Sequence, residues 1–152
     1  MKLQTYILLF LLICGFMNCK KKKTVSQAET DENTINKYIS DNKLNAQASG
    51  SGLHYVIASQ GTGVQPNSGS VVTVKYDGFL IDGSLFDQSS SLGASFPLSS
   101  VIKGWQEGIP FFKKGGKGTL LIPSALGYGS QATGKIPANS VLIFNIELLD
   151  VK

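Results

Sequence analysis

The chain carries little of the usual equipment for acid, base or nucleophilic chemistry. His54 is the only histidine, and its place at the start of an apolar alternation reads as a surface strand residue. Any Ser-His-Asp set would have to be built on it, and no serine sits in a Gly-x-Ser-x-Gly elbow. No His and Cys residues have the spacing of a zinc site. Gly116-Lys117 fails as a phosphate loop, because Phe111 stands where its first glycine belongs and Gly118 where its hydroxyl belongs. Gly61-Thr62-Gly63 precedes no helical pattern. The acids are scattered, and none forms a close pair for general acid–base work. What remains is a set of aromatics at turns and strand ends: Tyr76, Phe86, Phe96, Trp105, Tyr128 and Phe144. One acid that reads as buried, Asp87, accompanies them. Each ring alone is most simply core. Together they can line an apolar pocket with a few polar handles.

The elements that must position these residues are short. Val101-Ile102-Lys103-Gly104-Trp105-Gln106-Glu107-Gly108 holds the only tryptophan, bracketed by two glycines four apart. Gly108 and Pro110 stop whatever helix begins there. So short a helix needs enclosure, since nucleation is costly and few bonds repay it. The flanks read as strands over residues 53–59, 71–80, 84–88, 96–98, 118–122 and 141–151. Gly78 within the second marks a bulge or a close approach, and Asp82-Gly83 a hairpin. In the last strand Leu142, Phe144, Ile146 and Leu148 alternate with Asn145 and Glu147, giving one dry face and one wet. Residues 89–93 form a loop, and residues 124–139 a longer glycine-rich one carrying Tyr128. The class is α+β: an antiparallel sheet of about five to six strands with one short helix across its concave face.

The N-terminus reads as an address. Lys2 precedes an apolar run from Tyr6 to Met17, well short of the roughly 20 residues of a spanning helix. Cys14 lies inside the run, and Cys19 lies just after it, ahead of Lys20 to Lys23. This arrangement resembles a bacterial lipoprotein signal in which Cys19 takes the lipid, with plain secretion as the alternative. Asn18 before the cysteine departs from the usual small residue, a relaxed form familiar in the Bacteroidetes. The lysine run would add about 1 kcal/mol per Lys at an anionic surface. The organisation expected is a signal over residues 1–18, a lipidated Lys-rich tether with helical spacer and linker over 19–52, and the domain over 53–152. Ser26 and Glu29 have capping-box spacing. Ile35, Tyr38 and Ile39 make a narrow stripe on a helix over roughly residues 28–42, which can dock on the domain, the simpler reading, or on a partner. Residues 47–52 read as a flexible linker. Fully extended, residues 20–52 would reach about 110 Å.

The charge argues against nucleic acid as a partner. All 14 basic residues are lysines and the formal charge is +4, but residues 53–152 are nearly neutral. No basic face remains there, and no arginine exists to pair phosphates or read bases.

The ordered set Tyr76-Asp77-Gly78, Gly83 with Phe86-Asp87, Phe96-Pro97-Leu98, residues 101–108, Leu126-Gly127-Tyr128-Gly129, Ile136-Pro137 and residues 144–149 resembles the FKBP family. These are macrolide-binding peptidyl-prolyl cis/trans isomerases. The resemblance covers about residues 53–152. It implies a half-barrel sheet wrapped on one short helix. It further implies a pocket with Trp105 as floor and Tyr76, Phe86, Phe96, Val101, Ile102, Ile136 and Phe144 as walls. The Ile102 N–H and the Tyr128 hydroxyl would hold substrate carbonyls, and Asp87 would sit at the rim. No cofactor or metal is implied. The partners implied are proline-containing unfolded or nascent exported polypeptides, macrolide inhibitors and, through the lipid, a membrane of the cell envelope facing the periplasm. A non-catalytic peptide-binding chaperone using the same pocket is the second reading, and a structural lipoprotein that only docks a partner is the third. Ala94 stands where many members carry a further aromatic wall, and Lys135 replaces an apolar loop residue. The arginine that often pairs with the rim acid is missing, so Asp87 needs another partner such as a tyrosine hydroxyl.

Overall fold

The computed structural model of the protein describes residues 25–152. The signal expected over residues 1–18, Cys14, Cys19 and the lysine run lie outside the described residues. Helix α1 spans Gln27–Asp41. Strands β1 (Gln47–Ala48), β2 (His54–Ser59), β3 (Val71–Leu80), β4 (Leu85–Gln88) and β5 (Ala94–Pro97) follow. Helix α2 is Lys103–Gly108, and strands β6 (Lys117–Ile122) and β7 (Leu142–Val151) close the chain. Short 3-10 turns occupy Leu98–Ser100, Ile109–Phe111 and Ser124–Leu126.

One antiparallel sheet of seven strands runs in the order β1-β2-β6-β7-β3-β4, with β5 also on β3. Its centre is the pair of ten-residue strands β3 and β7, registered from Val72 opposite Val151 to Leu80 opposite Leu142. The other side of β3 is shared end to end: β5 pairs with residues 71–74 and β4 with residues 77–79. The register shifts beside Gly78. A Cβ there would stand 2.8 Å from ring carbons of both Phe86 and Phe144, so the missing side chain lets the two rings meet over the strand.

The period of two sorts side chains onto two faces. Val72, Val74, Leu120, Ile122, Leu142, Phe144, Ile146 and Leu148 face a core that also holds Trp105, Ile109 and Phe112. α2 lies directly on β6 because it presents glycine there. A Cβ on Gly104 would fall 2.5 Å from Ile122 Cγ2, and one on Gly108 2.7 Å from Leu120 Cδ2. The helix ends at Gly108 as expected, and Ile109–Phe111 continue as a 3-10 turn.

The opposite face is not uniformly wet. Leu121, Val141 and Ile143 are buried under Ile35 of α1, with Tyr38, Ile39, Leu44 and Phe79 packed around them. α1 is thus docked on the domain through its stripe. Its start is set by Ser26, whose side-chain oxygen accepts the Glu29 N–H. Residues 47–52, expected to be a flexible linker, instead form an ordered edge hairpin. Gln47 and Ala48 pair with Tyr55 and His54, the Ser49 N–H donates to the Leu53 carbonyl at 2.9 Å, and the Ser51 hydroxyl reaches Glu107 at 2.7 Å. Backbone pairing outweighs the glycine and serine composition. Residues 25–52 therefore lie against the domain, and the extended reach of about 110 Å for residues 20–52 is not available. His54 is corrected too: it is buried under α1, with Nε2 3.8 Å from a Glu32 oxygen.

Candidate active site

The concave side of the half-barrel holds an open hollow of about 310 Å³. Its floor is Trp105, 4% exposed. Three rings meet the indole edge-on. Tyr76 from β3 stands 5.0 Å away at 86°, Phe144 from β7 5.2 Å away at 80°, and Phe96 from β5 5.8 Å away at 86°. Edge-to-face contact places positive ring edges on negative faces, which orients the rings beyond what burial alone would do. The indole N–H is buried without an acceptor and is the only such side-chain atom among the described residues. An unmet buried donor costs about 1–3 kcal/mol, and orphans of that kind call for an explanation in a native fold.

The polar groups stand around the mouth. Ile102 caps α2 with φ −58° and ψ 150°, its carbonyl accepting the Trp105 and Gln106 N–H groups. Its own N–H has no acceptor among the described residues. Gln106 reaches back to the Val101 carbonyl at 2.7 Å, which fixes the turn that carries this wall. Tyr128 is 38% exposed and borders the same hollow. The Tyr76 hydroxyl donates to Asp87 at 2.8 Å, and the other Asp87 oxygen accepts the Gln88 N–H. Asp87 has therefore found a tyrosine partner, but it is exposed at the rim and not buried. Burial, then the Asp87 hydrogen bond and charge, push the Tyr76 hydroxyl up to about 12. Burial, then the Asp87 charge, also raise Tyr128. Both hydroxyls stay protonated near neutrality and can donate.

Of the ten residues expected at the site, eight border the hollow: Tyr76, Asp87, Phe96, Val101, Ile102, Trp105, Tyr128 and Phe144. Two do not. Phe86 supports the wall from behind, edge-on to Phe144 at 5.4 Å. Ile136 is buried in the core cluster beside an isolated bridge to Thr133. Ser100 also borders the hollow and went unnoticed in the sequence, where a serine before Val101 gives no signal. Ala94 and Lys135 do not border it. Among the described residues no group of three His, Cys, Asp or Glu side chains could hold a metal ion.

An antiparallel half-barrel closed on a short helix, with an aromatic hollow and polar groups around its mouth, defines a small domain with an open apolar site. Residues 62–149 match the model of the FKBP-type peptidyl-prolyl cis-trans isomerase family, and the chain belongs to that family. It is 40% identical over 135 residues to the probable FKBP-type peptidyl-prolyl cis-trans isomerase FkpA of Neisseria meningitidis, covering 86% of this chain and 50% of that one. The crystal structure of FkpA from Escherichia coli superposes with a TM-score of 0.74 at 40% identity, covering 83% of this chain and 61% of that one. A peptidyl-prolyl cis-trans isomerase from Pseudomonas syringae gives 0.71 at 32% identity, covering 82% and 96%. The chain spans about half the length of the curated relatives it matches.

Proposed function

We propose that the protein catalyses cis/trans rotation of X-Pro bonds in exported polypeptides within the cell envelope. The observation that carries this reading is the Trp105 hollow, walled by three edge-on aromatics and fringed by the Ile102 N–H and the Tyr128 hydroxyl. The X-Pro barrier is about 18–20 kcal/mol because twisting breaks amide resonance. No bond is made or cut, so no general acid or base is needed. An apolar surround disfavours the charge-separated planar amide relative to the twisted one, and a hollow shaped for the twisted form binds it preferentially. Lowering the barrier by about 5 kcal/mol gives roughly 10⁴-fold acceleration. In this reading the proline ring rests on Trp105, the Ile102 N–H and Tyr128 hydroxyl hold the flanking carbonyls, and the Tyr76–Asp87 pair fixes the rim. The relatives named as isomerases support it.

The test is exchange between cis and trans forms of a short X-Pro peptide, measured with a chain that begins at Lys20 and so keeps α1. We expect exchange far faster than the uncatalysed rate, abolished by a macrolide that competes for the hollow. Folded protein with uncatalysed rates, yet still binding unfolded chains, moves the function to the non-catalytic chaperone reading.

Lipid attachment at Cys19 also belongs to this proposal, together with a lipoprotein signal of the relaxed kind found in the Bacteroidetes and a membrane-held location facing the periplasm. Its support is the apolar run that ends just before Cys19 and the lysines that follow it. Cys19→Ala should abolish incorporation of labelled fatty acid and move the protein to the soluble envelope fraction. Release by Cys14→Ala instead would assign the lipid to the other cysteine.

A further inference from the structure

Asp31 takes no part in the reaction proposed above, yet it is 2% exposed. Among the described residues no cation pairs with it. Three donors meet it instead. Gln27 Nε2 donates to one oxygen at 2.7 Å, and the Ser124 N–H and hydroxyl donate to the other at 2.8 and 2.6 Å. A carboxylate leaves water for such a place only where hydrogen bonds to it replace hydration. The two Ser124 bonds cross 93 positions of sequence.

The backbone carbonyl of Ser124 holds the turn that carries Tyr128. It accepts the N–H of Gly127 at 3.0 Å and of Gly129 at 2.8 Å, the two residues that flank Tyr128. The Gly129 carbonyl in turn accepts the Asn139 N–H at 2.8 Å. The Tyr128 ring is partly exposed, and its hydroxyl has no hydrogen-bond partner among the described residues. With no hydrogen bond to fix the hydroxyl, its position follows the loop that carries the ring and the packing around it. Asp31 therefore holds the residue from which that loop is hung.

We infer that Asp31 is a positioning residue for the isomerase site: from α1 it fixes Ser124, and through Ser124 it sets where the Tyr128 hydroxyl stands. The inference rests on the reading of Tyr128 as a carbonyl handle. It makes the site depend on a helix that lies outside residues 62–149, the stretch matched by the family model. The competing account is that Asp31 only staples α1 to the sheet, in which case its loss weakens the fold without acting through Tyr128.

The experiment is a double-mutant cycle on the chain beginning at Lys20, with Asp31→Ala, Tyr128→Phe and the pair, read as kcat/KM on a short X-Pro peptide. Residues acting as a unit are non-additive. Asp31→Ala should lower kcat/KM by roughly 3–10-fold in the parent and by less than about 2-fold once Tyr128→Phe is present. Asp31→Asn, which keeps a side-chain oxygen for the Ser124 N–H, should recover most of the loss. Equal losses in both backgrounds, or no loss in the parent, overturn the inference. If Asp31→Ala does not fold, Ser124→Ala takes its place in the same cycle and is judged by the same criterion. A readout independent of turnover is amide hydrogen exchange. Gly129 should exchange faster in Asp31→Ala while Leu120 in β6 is unchanged, and parent-like Gly129 exchange defeats the anchor outright. A folded parent that turns over no X-Pro peptide defeats the isomerase reading instead, a failure distinct from that of the anchor.

Discussion

Tyr76 ties the wall of the hollow to its rim, and its protonation gives a sharp test. Its hydroxyl is raised from 10.0 to about 12 by burial first and by Asp87 second. The folded state thus holds this proton more tightly than the unfolded chain. By linkage, stability falls with pH wherever the native state binds more protons. The contribution from Tyr76 is fully present below about pH 10 and is lost as pH climbs from about 10 to about 12. Ligand affinity and the unfolding midpoint should show no loss from this group between neutrality and about pH 10, then a decline. Tyr76→Phe should remove its share of that decline, measured by ultraviolet titration beside urea unfolding at each pH. A Tyr76 that ionises at the ordinary value, with an unchanged alkaline decline in the variant, would show that neither its burial nor its Asp87 bond holds in solution. This pair was only partly legible in the sequence. The lack of arginine pointed to a tyrosine for Asp87, but apolar neighbours suggested burial where the strand places the acid at the rim. Asp31 gave no signal in the sequence, because nothing local announces a partner 93 residues away.

At the level of elements, strand boundaries were readable because alternation with period two and glycine turns are local signals. Val71–Leu80 is one strand, as the pattern predicts. Packing of elements was readable less evenly. The glycines bracketing Trp105 suggested a short helix, and their structural reason is the contact they permit with Ile122 and Leu120. Gly104→Ala separates two effects of opposite sign. Alanine is the better helix former by about 1 kcal/mol. Its Cβ, however, would lie 2.5 Å from Ile122 Cγ2, and overpacking a dense core costs about 1–3 kcal/mol. The steric term should win. We expect a lower unfolding midpoint and weaker macrolide binding, with altered Trp105 fluorescence, because the helix must lift and take the floor with it. A variant as stable as the parent, with unchanged emission, would mean that Ile122 yields easily and that the glycine reflects something other than packing. Strand β1 was missed for the opposite reason. Its composition is that of a linker, and only pairing with His54 and Tyr55 makes it a strand.

Over the whole molecule, the boundary drawn at residue 53 follows composition, whereas the packing runs across it. α1 covers Leu121, Val141 and Ile143, and Ile35 is 1% exposed among them. Removing one such buried aliphatic side chain typically costs about 2–5 kcal/mol, against a total stability of about 5–15 kcal/mol for a domain. A chain cut to begin at residue 50 would lose Ile35, β1 and the Asp31 bonds to Ser124 together. It would also uncover His54 and present β2 as a bare edge, a template for pairing with other chains. We therefore expect this truncation to unfold at distinctly lower urea than a chain beginning at Val25 and to associate at concentrations where the longer chain stays monodisperse. Its remaining isomerase activity should decline through weaker substrate binding, since Trp105 keeps its edge-on neighbours while the Tyr128 loop loses its anchor. Urea midpoints, light scattering and kinetics on the two chains decide the matter. Equal midpoints would show that α1 merely rests on the sheet. A lower midpoint with unchanged kcat/KM would confine its role to stability and leave the hollow to residues 53–152 alone.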